Sequence, residues 1–278
     1  MKRLAAILLI LVLTACGLSG VCAAEDVPEI SGAEEAVVRL PDEMLMTFYD
    51  NTIFAGDSLI AMFRNYVKLQ QKEDPGFFAG VDFRAANSYK FRFAAYKTIP
   101  SGEMKFAHLT DGGQKVTLYY IVKKEQPDRV FIMAGINDML TTDYKNENGI
   151  ERALRYVRGA TELIREASPE TRIYFFSQMP VTKSFVQGSH HYKEVQERWD
   201  AINEAILAEC DELDITLVDA ASALKDEDGV LPARLSSDGL YHLNDDGNAI
   251  LVQVLMDLAQ AEYEAGTWVP AQAPAKEE

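Results

Sequence analysis

A serine and an asparagine, each placed where an apolar run gives way to a turn, and a histidine ahead of the last helical pattern are the residues here whose types and positions allow joint chemistry. Ser58 lies in Thr52-Ile-Phe-Ala-Gly56-Asp57-Ser58-Leu59, an apolar run that enters a glycine turn. A serine at a strand's carboxyl end faces the crevice where open α/β sheets bind ligands. If it also opens a helix, the free amides there stabilise nearby negative charge. The same tetrapeptide serves equally as a helix cap through Asp57 or Ser58, and alone it does not separate the two readings. A second apolar run, Val130-Phe-Ile-Met-Ala134, ends in Gly135-Ile136-Asn137-Asp138. The Asn137 amide offers two N–H donors to a developing oxyanion without burying a charge; Gly-x-Asn-Asp by itself is also an ordinary turn. Near the other end stands Ser237-Asp238-Gly239-Leu240-Tyr241-His242-Leu243-Asn244. An imidazole titrates near working pH, so His242 can take a proton from a hydroxyl and return it to a leaving group.

Positioning three such residues requires a framework of strand–helix junctions, and the pattern supplies one. Strands are expected at Thr52–Ala55, Gly80–Ala85, Arg129–Ala134, Arg172–Ser177 and Asp214–Val218. Helix-period stripes follow strands, one through Ile150, Leu154, Val157 and Ile164, another, after the last strand, through Ile250, Leu251, Val254, Leu255 and Leu258. This alternation predicts βα units on a parallel sheet. The segment after Asp111-Gly-Gly113 stays open: a helix through Gln126, or a strand at Lys115–Val122. No internal repeat is present.

With serine, asparagine and histidine in this order, each at a strand–helix junction, the chain resembles the SGNH/GDSL hydrolase family from about Thr52 to Leu258. Gly56-Asp57-Ser58-Leu59 matches the motif that names the family. The resemblance implies a three-layer α/β/α sandwich of flavodoxin-like type with a parallel sheet of five strands. It also implies catalysis by Ser58, His242 and Asp238, and an oxyanion hole made of the Ser58 N–H, a second backbone N–H at Ala86 or Asn87, and Asn137. Gly56, Asp57, Gly135 and Asp138 would shape the turns of the site. Two positions depart from the family pattern. No glycine occurs in Arg84-Ala-Ala-Asn87-Ser88-Tyr89, where the family's second block has one, and Asp238 precedes His242 by four residues instead of three. Either the loop bulges so that Asp238 reaches the imidazole, or a carbonyl holds His242 in a dyad.

The implied activity is ester hydrolysis through an acyl-Ser58 intermediate, with O-acetyl groups on carbohydrate as the expected substrate. An acyltransferase on the same fold and a glycan-binding lipoprotein without catalysis are the alternatives. No cofactor and no metal site is expected. His190 and His191 read as a solvated loop, since adjacent histidines diverge and no acidic partner has ligand spacing. Tyr89, Lys90, Phe91, Arg92, Phe93, Tyr96 and Lys97 form a basic, aromatic stretch that either walls the cleft and stacks on a sugar ring or is an amphipathic segment with its rings in the core, the core being favoured.

A net charge of −16 over 278 residues argues against nucleic acid as a partner. Lys2 and Arg3, an apolar run from Leu4 to Leu13 and small residues after it have the layout of an export signal. Leu13-Thr-Ala-Cys16-Gly17 resembles the bacterial lipobox, which implies lipidation of Cys16 and a membrane anchor outside the cytoplasm; ordinary cleavage after Ala24 is the alternative. The expected organisation is a signal peptide at 1–15, a tether at 16–40, the hydrolase domain at 41–266 and a disordered tail at 267–278. Cys210 falls on the stripe Ile202, Ile206, Cys210, Leu213 and reads as packing.

Overall fold

The strand runs named above are rich in β-branched and aromatic residues, and each is bounded by turn formers or charges. In a computed structural model they form a single parallel sheet. The structure describes residues 39–139, 149–187 and 190–271; Cys16, the export signal and most of the expected tether lie outside them. In chain order the helices and strands are α1 (Asp42–Met46), β1 (Thr52–Gly56), α2 (Ser58–Gln70), β2 (Val81–Ala85), α3 (Phe91–Ala94), β3 (Leu109–Asp111), β4 (Gln114–Val116), α4 (Leu118–Glu125), β5 (Arg129–Met133), α5 (Ile136–Met139), α6 (Gly149–Ala167), β6 (Arg172–Phe176), β7 (Val186–Gln187), β8 (His190–His191), α7 (Tyr192–Leu213), β9 (Thr216–Val218), α8 (Ala220–Leu224) and α9 (Asp245–Glu264). The main sheet has the order β2-β1-β5-β6-β9, with every pair parallel. That is the flavodoxin-like arrangement, in which the order reverses at β1 and a crevice opens beyond the carboxyl ends of β1 and β5.

Alternation along the strands divides the core in two. Ile53, Ala55, Val130, Ile132, Ile173 and Phe175 face a layer built from α4, α6 and α7. Their neighbours Phe54, Phe131, Met133, Tyr174 and Phe176 face α1, α2, α8 and α9. The second layer is aromatic: Phe131 and Tyr174 stack at 4.3 Å, and Phe54 lies 4.7 Å from Phe131. Central strands must be apolar on both faces, which is why they read as continuous runs.

Three expectations need correction. Residues 111–126 contain a strand and a helix in succession. Gly112 and Gly113, both at positive φ, turn the β3–β4 hairpin, and Thr117 then caps α4 by accepting from the Tyr120 N–H. The last strand starts at Thr216, because Asp214 adopts φ 49° as the left-handed cap of α7 and is not yet extended. The part of the expected disordered tail that is described, 267–271, is anchored at Trp268, which meets Phe48 edge-on at 5.3 Å and whose backbone N–H donates to the Glu262 carbonyl, while Val269 beside it stays exposed. Little apolar content is needed where one indole can dock on an existing core.

Candidate active site

The β1–α2 junction is held by the close approach of two strands. A Cβ on Gly56 would lie 2.1 Å from the Met133 carbonyl oxygen, so no other residue fits there without moving β5. Asp57 is buried and caps α2, its carboxylate accepting from the Leu59 N–H at 2.9 Å. Ser58 thereby becomes the first residue of the helix, its N–H without a partner among the described residues and its side chain partly exposed. A cap and a helix-opening serine were alternatives for this tetrapeptide; Asp57 does the capping and Ser58 faces the crevice.

From the far end of the chain, His242 reaches Ser58 with Nε2 2.8 Å from Oγ. Its Nδ1 lies 2.6 Å from Asp238 Oδ2. The four-residue spacing is absorbed by a curled loop. Asp238 Oδ1 accepts from the N–H groups of Leu240, Tyr241 and His242 and from the Ser236 hydroxyl, while Gly239 takes φ +74°. Drawing the chain around one carboxylate oxygen leaves the other for the imidazole, so a carbonyl-held dyad is not what forms. Burial works to raise the Asp238 pKa, but the hydrogen bonds from His242, Leu240 and Ser236 outweigh it and bring it down to about 2. Tyr241, the additional residue, turns its ring over His242 at 4.3 Å and toward Phe185.

Asn137 comes from the β5 junction. Gly135 there has φ 135°, and a Cβ would meet the Gln178 side chain at 2.3 Å. The Asn137 Nδ2 donates to Asp57 Oδ2 at 3.0 Å and to the Tyr89 carbonyl at 3.2 Å. Both amide hydrogens are thus engaged, where the sequence suggested two free donors; a bound oxyanion must displace one of these acceptors. Of the two backbone donors expected from the second block, the Ala86 N–H is committed to the Gly56 carbonyl at 3.0 Å. The Asn87 N–H has no partner among the described residues and sits in an exposed turn. Ser88, at φ +62°, makes the bend that a glycine would otherwise make.

Asp138 points away from the crevice, accepting from the backbone N–H groups of Phe91 and Arg92. Burial raises its pKa to about 6, and that of Asp57 to about 7, against the backbone hydrogen bonds that lower both. Tyr89, Phe91 and Phe93 are core residues, each 1% exposed, and none walls the cleft. His191 is exposed on the β7–β8 hairpin, as a solvated residue should be. Cys210 is half-buried on α7, and burial pushes its thiol pKa up. Gln178 was not foreseen. Buried at the end of β6, it donates to the Ala134 carbonyl at 3.0 Å and braces Gly135; its place just after a strand was the one signal.

The GDSL-like lipase/acylhydrolase family model matches residues 54–250, most of the chain. No curated protein matches it. Among solved structures the chain is similar to a GDSL-like lipase from Bacteroides thetaiotaomicron, at 14% identity and a TM-score of 0.54, covering 81% of this chain and 93% of that one. It is also similar to a catalytic variant of an acetylxylan esterase from Geobacillus stearothermophilus, at 16% identity and a TM-score of 0.50, with 75% and 93% covered. Serine, imidazole and carboxylate in hydrogen-bonded sequence, on a sheet of this order and over the span of the family match, place the chain in the GDSL-like lipase/acylhydrolase family, as a carboxylic ester hydrolase.

Proposed function

We propose that the enzyme removes O-acetyl groups from carbohydrate by two-step acyl transfer. The observation that carries the chemistry is the continuous contact from Ser58 Oγ through His242 to Asp238. His242 Nε2 takes the hydroxyl proton as Oγ attacks the ester carbonyl, and Asp238 keeps Nδ1 protonated and the ring oriented. The oxyanion receives the free N–H groups of Ser58 and Asn87. It also takes the Asn137 N–H that rests on the Tyr89 carbonyl, the longer of that amide's two bonds. Collapse expels the sugar hydroxyl, protonated by His242, and water then releases acetate by the same route.

A small acyl group is favoured because, among the described residues, the exposed large apolar side chains, Leu69, Met104, Val186 and Leu207 among them, lie on separate segments and form no sheath for a long chain. The likeness to an acetylxylan esterase points the same way. The lipobox-like Leu13–Cys16 supports a membrane anchor through Cys16 and a site of action outside the cytoplasm.

A hydrolysis screen of acetylated sugars against short-chain and long-chain esters, on wild type and Ser58→Ala in parallel, tests the reading. Acetate release from sugars by wild type and none by Ser58→Ala is expected. A preference for long-chain esters would overturn it. Acyl transfer to added sugar in preference to water would mark a transferase.

A further inference from the structure

A groove of about 700 Å³ lies between one face of α2 and the start of α9. Its lining on α2 runs from Met62, one helical turn after Ser58, to Leu69, and Lys72 adds to it from the turn that follows the helix. At 1.5 Å per residue the helical part is about 10 Å of wall, more than one sugar ring occupies. The opposite wall starts at Ser237, whose N–H donates to the His242 carbonyl at 2.8 Å, and continues into Asp245 and Asp246. The lining thus includes Leu243, next to His242, and Met62, one helical turn from Ser58.

Its surface chemistry is mixed in a particular way. Met62, Leu243 and Leu69, the last 45% exposed, provide apolar surface. Around them the side chains of Asn65, Lys68, Lys72, Asp245 and Asp246 and the Tyr66 hydroxyl have no hydrogen-bond or ion-pair partner among the described residues. The two lysines balance the two aspartates, so the groove is locally neutral on a chain of net charge −16. An acyl tail laid there would strip water from these polar groups and return no hydrogen bond. A charged polymer would find no net field. A neutral chain with hydroxyls on its edges and C–H faces on its rings satisfies both kinds of surface.

We propose that this groove binds the neutral glycan chain that carries the acetyl group, making the enzyme selective for acetylated oligosaccharide over small acetyl esters. The inference rests on the acetyl-carbohydrate reading above and adds where the polymer lies. The test uses the full chain with Asn65→Ala and Leu69→Ser combined, both exposed positions on α2 away from the triad. On acetylated xylooligosaccharide kcat/KM should fall about tenfold through KM, and on 4-nitrophenyl acetate it should stay within about twofold. Equal loss on both substrates, loss on neither, or loss instead on a long-chain ester would overturn the proposal. Calorimetry of unacetylated xylooligosaccharide with Ser58→Ala reads the groove without turnover. A Kd weakened about tenfold by the double substitution supports it, and absent or unchanged binding overturns it. Binding of this kind in a protein that deacetylates no sugar would sink the acetyl-carbohydrate reading and leave the groove a glycan site.

Discussion

The two ends of the central sheet bury acidic groups in different ways. At the amino end of the strands, Glu262 of α9 is 8% exposed and has a cation: Arg172 Nη2 lies 2.8 Å from Oε2, and the Tyr174 hydroxyl donates to Oε1 at 2.9 Å. At the carboxyl end, Asp57 and Asp138 are 0% and 2% exposed and are held by backbone N–H groups and, for Asp57, the Asn137 amide. Dipoles compensate a buried charge less fully than an ion pair with good geometry, so both carboxyls there are pushed toward their protonated forms. One end is arranged for stability. The other carries strain of a kind that functional sites tolerate.

Substitutions should therefore separate activity from stability according to the end they touch. The largest effect is expected from Asp238→Asn, which keeps the loop's shape but no longer fixes the imidazole tautomer; kcat should drop on the order of 10⁴-fold with the melting temperature little changed. Next, Asn137→Ala should lower kcat by about 10² to 10³ with the fold retained, and an unaltered rate would remove Asn137 from the oxyanion hole. At the amino end, Glu262→Ala strands the buried Tyr174 hydroxyl and should cost about 2–4 kcal/mol by urea denaturation while kcat holds. Lost activity in that folded variant would break the contrast between the ends.

Asp57→Asn should give the smallest change and the most telling one. In the fold the Asp57 carboxyl keeps its proton up to about pH 7, whereas in the unfolded chain it ionises near about pH 4. Above the lower value the unfolded state binds fewer protons, so stability declines as pH rises toward 7 and gains nothing back beyond it. Removing the acid should raise the melting temperature at about pH 8 and leave it unchanged at about pH 4. Turnover should fall about tenfold, because the one amide oxygen of asparagine cannot serve both Leu59 and Asn137. A melting temperature equally shifted at both pH values would show that Asp57 is not the titrating group.

Much of this was legible in the chain. The central strands announce themselves because burial on both faces demands unbroken apolar residues, and Ser58 and Asn137 each follow such a boundary; His242 instead lies in the loop ahead of α9, far in sequence from any strand of the main sheet. Residues 111–126 were not legible, since a short hairpin and a helix share one β-branched stretch and only Thr117 marks the division. The Asp238–His242 spacing leaves a triad and a dyad equally open, because letters do not show a carboxylate gathering three N–H groups. Nor do they show that the Asn137 amide is engaged at rest, or that Gln178 stands behind Gly135; both depend on contacts between segments far apart in sequence.

Ser58 and His242, the proposed nucleophile and base, are 184 positions apart. During synthesis the serine emerges long before the histidine, and no product that stops short of His242 can bring the two together. On this reading a polypeptide truncated before His242 is chemically inert. Activity begins as a threshold event, when the final helix settles and the last loop closes over the first turn.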